Sequence, residues 1–196
     1  MKIAEARQVY QMQIKQCREQ RALFEKQKTE LSEKMNSVEN GTTVYANEAA
    51  TLELSMKTLD EKQSEYEKYM EQLLLQHTAI ANMESSKQQG EAMAAYAEDL
   101  GKIMEVARRI MKGGIVPPTD EKKLMDYSME LYQAAKNMGA MAQRREKEEY
   151  DSLWDEEEET KSVEDPTEMA DQTEAAGVAP AIVPVAELAQ SSESIE

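Results

Sequence analysis

Histidine, cysteine, phenylalanine and tryptophan each occur once in this sequence, and proline and glycine supply only 5 and 7 of its 196 positions. With His77 alone there is no histidine cluster for a metal and no histidine acid–base pair. With Cys17 alone there is neither an intramolecular disulfide nor a thiolate metal site. The shortage of large aromatic residues leaves little material for a round core. No stretch approaches the roughly 18 apolar residues of a membrane span, and the opening "MKIAEARQVYQ" lacks the apolar centre of a signal peptide, so a cytoplasmic location is expected. "KGGIVPP" has adjacent glycines but neither a Walker pattern nor a spaced glycine fingerprint, so no phosphate or nucleotide cofactor is implied. No catalytic residue and no metal ligand set is expected.

Abundant Gln, Glu, Lys, Ala, Leu and Met, the strong helix formers, predict an all-α chain. The net charge of -16 is uneven: residues 151–196 carry one Lys against 14 Asp or Glu, leaving 3 net negative charges to the first 150 residues. A basic footprint is missing, and phosphate or anionic lipid would repel such a chain, so no nucleic-acid partner is expected.

Apolar residues recur at heptad spacing as Ile3, Tyr10, Cys17, Phe24, Leu31 and Val38, and again as Tyr45, Leu52, Leu59, Tyr66, Leu73 and Ile80. Such rows are coiled-coil seams. Folding the chain back at "NGTT" pairs Ile3 with Ile80, Cys17 with Tyr66 and Val38 with Tyr45, every pair summing to 83. The centre lies between Gly41 and Thr42, where Gly41 can take the left-handed conformation and Thr42 or Thr43 can cap the next helix. Residues 1–83 therefore read as an antiparallel helical hairpin with its turn at 40–42. The register places His77 near Arg7 and Cys17 near Tyr66, which keeps His77 and Cys17 apart.

A second pair of rows, Met93, Tyr96, Leu100, Ile103, Ala107, Ile110 and Leu124, Tyr127, Leu131, Ala134, Met138, Met141, mirrors about the Pro117–Pro118 pair. Gly113 is placed to end a helix, the prolines prevent its continuation, and Thr119 can cap the next one ahead of Asp120 and Glu121. Residues 84–150 thus read as a second hairpin with its loop at 113–119, packed in series with the first. The two either share one central helix over 43–112, roughly 100 Å long at about 1.5 Å per residue, or fold at 84–91 into a four-helix bundle. Lys87, Gln88, Gln89 and the absence of proline favour the continuous helix. Met104, Met111, Met125, Met129, Met138 and Met141 belong to the core or to an adaptable client surface.

From 151 to 196 the heptad order stops, and the acidic, Ala/Pro/Ser-rich composition predicts a disordered tail. Its start, "YDSLWDEEEE", is the best candidate recognition motif: Leu153 and Trp154 are anchors, while Asp155, Glu156 and Glu157 steer a basic protein partner. The same stretch also allows Trp154 to pack on the last helix. Ile115 and Val116 form a candidate docking tip in the 113–119 loop. "VAPAIVPVAELA", 178–189, reads as a low-complexity end or as a second docking peptide.

A thin hairpin buries little, so self-association into a homo-oligomer, or a client along the seam, is a physical expectation. The leading expectation is a non-enzymatic coiled-coil scaffold that docks protein partners. The alternative is a chaperone or accessory factor for protein export. In architecture alone the plan is similar to the helical-hairpin proteins of flagellar-type export and to prefoldin arms, and no motif carries residues across from either.

Overall fold

The computed structural model describes residues 1–142, 148–154 and 163–184. The described residues are all-α, with six helices: α1 Ile3–Ser37, α2 Gly41–Val44, α3 Ala46–Met111, α4 Pro118–Tyr127, α5 Met129–Ala142 and α6 Pro166–Gln172. Isolated bridges are the only β pairing among them. Two compact units are present: Met1–Glu84 with the described residues 164–184, and the described residues of Ser85–Val163. The helix α3 runs without interruption through Ser85, Ser86 and Gly90. Good helix formers around these residues outweigh a single glycine, which costs only about 1 kcal/mol in a helix interior.

In the first unit, Ile3, Tyr10, Cys17, Phe24 and Leu31 of α1 and Leu59, Tyr66 and Leu73 of α3 are buried, joined by Ala6, Ile14 and Tyr69. Ion pairs Arg18–Glu67 (3.0 Å), Arg21–Asp60 (3.1 Å) and Lys28–Glu53 (3.2 Å) cross between the helices in opposite numerical order, so the two segments run antiparallel. At the connection the left-handed residue is Asn40, φ 63°, in place of the expected Gly41. Gly41 is needed for another reason: a Cβ there would strike the backbone of Met35. Asparagine tolerates the left-handed region, which frees the glycine to serve close approach.

Cys17 is fully buried, and burial pushes its thiol above the usual range. Thiol labelling of the native protein is therefore expected to be slow, and unfolding in urea should release it to the rate of a free cysteine. Fast native labelling would place Cys17 outside the core.

In the second unit, α3 ends as the glycines dictate. Gly113 has φ 85°, its N–H donates to the Ile110 carbonyl (2.9 Å), and the Gly114 N–H donates to the Arg109 carbonyl (3.1 Å). This is a Schellman termination. The next helix begins at Pro118, with Pro117 at its cap position, two residues ahead of the expected Thr119 cap; Thr119 and Asp120 lie in the first turn.

The single return helix expected beyond the prolines is broken at Ser128, whose backbone is extended at φ -158°, ψ 108°. The Ser128 Oγ accepts from the Leu131 N–H at 3.2 Å and starts α5, which packs back on α4. Tyr132 Oη donates to Glu121 at 3.1 Å, and Lys136 Nζ at 2.6 Å, tying the two short helices together. The expected partners Ile110 with Leu124 and Ile103 with Leu131 still meet at one cluster, which also holds Ala107. Met138 and Met141, and their expected partners Tyr96 and Met93, are exposed, as is Tyr127.

Residues 151–154 and 163–184 also differ from the expected disordered tail, since each stretch folds onto helices. Composition weighs the apolar content of the tail itself and omits the surface the helices offer it.

Candidate interaction site

In the second unit the residues singled out from the sequence are brought together by a strap, residues 148–154. The Ile115 N–H donates to the Glu148 carbonyl (2.8 Å) and the Tyr150 N–H to the Ile115 carbonyl (3.0 Å), a short parallel bridge. Val116 and Trp154 are buried in the cluster of Val106, Ala107, Ile110 and Leu124, with Leu153 against it; Ile115 is half exposed. Trp154 Nε1 donates to Asp99 Oδ1 at 2.9 Å, and Lys123 Nζ sits 4.2 Å from the ring centroid. The anchors Leu153 and Trp154 thus turn inward, onto α3 and α4. Asp155, Glu156 and Glu157 lie outside the described residues.

The strap hangs on Asp120, a fully buried carboxylate. One of its oxygens accepts from Ser152 Oγ (2.7 Å) and Thr119 Oγ1 (3.3 Å), and the other from the Leu153 N–H (3.1 Å). Arg109 adds a bond to the Asp151 carbonyl (3.1 Å) and lies over the Tyr150 ring, 4.6 Å from its centroid. Arg109 is itself held by Glu105, which also takes two bonds from Arg108. Arg108 first and Arg109 second hold the Glu105 carboxyl down at about 2, against an ordinary 4.5. Because the folded value is the lower one, this group stabilises fully above about 4.5, and the contribution fades as pH falls toward about 2. An NMR titration of the Glu105 carboxyl is expected to show a midpoint near 2. A midpoint above 4 would mean that the arginines do not engage it.

A second strap crosses the first unit, and sequence reasoning did not find the residues that hold it. Tyr10 Oη donates to the Pro180 carbonyl at 2.6 Å, and Tyr66 Oη donates to the Ala181 carbonyl at 3.2 Å while accepting from the Val183 N–H at 3.3 Å. Gln76 reads the backbone of Ala176 twice, accepting from its N–H (3.0 Å) and donating to its carbonyl (2.7 Å). Lys2 bridges to Glu174, with Ile3 N–H on the Thr173 carbonyl and Ala175 N–H on the Met1 carbonyl. Ala175 and Val183 pack on the core of Tyr10, Tyr66, Tyr69 and Leu73. Burial, then the neighbouring Tyr69 and Tyr66, raise the Tyr10 hydroxyl above its usual range. One signal was available: tyrosine in a buried seam needs a partner for its hydroxyl, which leucine does not.

Just upstream, Asp171 faces His77 Nε2 at 3.1 Å, an ion-pair distance without hydrogen-bond alignment, and Arg7 at 3.8 Å. His77 and Arg7 therefore meet at one carboxylate. Cys17 is not part of this group. Among the described residues no group of three or more His, Cys, Asp or Glu side chains converges as a metal site. A depression beside α3, lined by Lys28, Glu53, Asp60 and Glu65, is open and charged.

Among the described residues, fold and straps together define an all-α protein whose helix faces carry non-helical segments of the same chain. It matches no known family model, no curated protein and no solved structure. No described helix is long and apolar enough to cross a membrane.

Proposed function

We propose that this chain is a non-enzymatic helical scaffold that docks protein partners on its helix faces, with coiled-coil seams as the contact surfaces. The observation that supports this reading is the apolar surface left open on the second unit. Met93 (74% exposed) and Tyr96 lie on one face of α3, and Met138 and Met141 (86% exposed) on α5. Methionine and tyrosine in such numbers outside a core mark a contact surface, because exposed apolar groups gain free energy when a partner covers them. The inward packing of Trp154 moves the proposed contact from the acidic tail to these helix faces.

A chaperone or export accessory factor is the second reading. The flexible methionines favour it, since they adapt to differing client helices. Self-association through the same face is its simplest competitor.

A photo-crosslinking side chain at Tyr96 or Met141 of the full-length protein tests the proposal. A scaffold gives one discrete adduct in a complex that survives dilution; a chaperone gives an adduct that is lost when the client is exported. The pair Met93→Glu and Tyr96→Glu should abolish the adduct formed from Met141 and shift stability by no more than about 0.5 kcal/mol, because both sites are exposed. Adducts as diffuse as those from a crosslinker at Glu91 would sink the proposal. An adduct with a second copy of the chain would replace it with self-association.

A further inference from the structure

The first unit holds the segment Thr173–Val183 almost wholly by its backbone. The five bonds from Tyr10, Tyr66 and Gln76 end on main-chain N–H or carbonyl groups. Of the strap's larger side chains, Val178 is 94% exposed and Ile182 about half exposed, while Ala175 and Val183 face the core. Contacts of this kind read a chain's path and demand small side chains at a few points; they do not require one particular sequence. The paired bonds of Gln76 to both backbone groups of Ala176 are the plainest case, since a carboxamide matches the N–H and carbonyl of one extended residue, acceptor to donor and donor to acceptor. At the upstream end Arg7 and His77 converge on Asp171, so the surface also offers the Arg7 guanidinium to an acidic residue.

We propose that this face is a binding site for a non-helical peptide segment of a partner protein, one that places an acidic residue ahead of an Ala/Pro/Val-rich stretch. The chain's own residues 173–183 occupy the site in cis. The site lies on the first unit and is independent of the helix-docking reading, whose contact residues are Met93, Tyr96, Met138 and Met141. The buried tyrosine hydroxyls are the physical reason for an occupant. With the strap gone their hydrogen bonds must be remade, and a peptide backbone satisfies both donor and acceptor demands. The cis copy is present at high effective concentration, so a trans segment gains access in proportion to the fraction of molecules whose strap is released.

The probe is a fluorescent synthetic peptide of residues 170–184, which retains Asp171, titrated into the full-length protein and followed by anisotropy. The double variant Ala175→Asp, Val183→Asp weakens the strap in the protein and leaves the groove intact. It is expected to bind the wild-type peptide at least about 10-fold more tightly than the unaltered protein does. Adding Gln76→Ala and Tyr66→Phe should remove that gain; Tyr66→Phe retains the ring, and unchanged helicity by circular dichroism shows that folding is intact. The inference is overturned if the strap-weakened protein binds no better than wild type, or if Gln76→Ala with Tyr66→Phe leaves its binding unchanged. It is also overturned if sedimentation shows a concentration-dependent dimer of the unaltered protein that Gln76→Ala dissolves, since the occupant is then the strap of a second copy. None of these outcomes touches the crosslinking result at Tyr96 or Met141.

Discussion

Asp120→Ala is expected to lower the stability of the second unit by about 3 kcal/mol, read by urea titration of Trp154 fluorescence. The carboxylate is fully buried and takes bonds from Ser152 Oγ, the Leu153 N–H and Thr119 Oγ1. Truncation leaves the Leu153 amide without its acceptor and the Ser152 hydroxyl with Trp154 alone, whose carbonyl accepts from it and whose N–H donates to it. Bonds to a carboxylate contribute roughly 1.5–3 kcal/mol each, and a stranded buried donor carries a further desolvation cost. Because the strap ends at Trp154, the indole emission should shift to the red in the folded variant as the ring loses its cover. Asp120→Asn retains one acceptor oxygen and should fall between the two. A loss below about 1 kcal/mol for Asp120→Ala would show that the strap is held mainly by Trp154 and Arg109.

Gly139→Ala should cost about 2 kcal/mol, although alanine is the better helix former by about 1 kcal/mol. Gly139 lies inside α5, and a Cβ there would run into the carbonyl oxygen of Ile110. That oxygen belongs to the backbone and accepts the Gly113 N–H, so it cannot swing away as a flexible side chain can. Moving it disturbs the Schellman termination of α3 as well as the α3–α5 contact. Gly90 and Gly101 provide the contrast, with nothing within 4 Å of a Cβ at either. Alanine at those two sites should raise stability by up to about 1 kcal/mol. Equal effects at all three positions in thermal melts would contradict the close approach at Gly139.

The buried members of α1 and α3 were legible because burial in a long helix follows a short repeat. Ile3, Tyr10, Cys17, Phe24, Leu31, Leu59, Tyr66 and Leu73 are spaced so that one face collects them all, and nothing distant is needed to find that face. Gly113 was legible for a similar reason, since a glycine followed by two prolines restricts the backbone locally. The break at Ser128 was missed because the apolar row from Leu124 to Met141 continues through it. Periodicity reports which side chains agree in phase and says nothing of a single extended residue between two helices, although Ser128 ahead of Glu130 is a recognisable helix start.

The candidate anchors Leu153, Trp154, Ile115 and Val116 were read as binding groups, with packing of Trp154 on a helix as the alternative; tertiary structure places Val116 and Trp154 in one cluster and Leu153 against it, and leaves Ile115 half exposed. An apolar residue beside an acidic run reads the same whether it waits for a partner or covers a core already formed. The choice depends on whether a matching surface lies within reach, and that surface is made by residues 31 to 55 positions earlier: Asp99, Asp120 and Lys123.

By itself, then, the sequence determined that the chain is helical, where α3 stops, and which side chains of α1 and α3 turn inward, because propensity, glycine geometry and short-range repeats are local. Only the tertiary structure decided that the segment after Ser128 doubles back, that Trp154 is covered, and that residues 173–183 lie on Tyr10, Tyr66 and Gln76. Each of these rests on hydrogen bonds or packing between residues far apart in the chain, where a donor and its acceptor leave no joint mark on the local pattern.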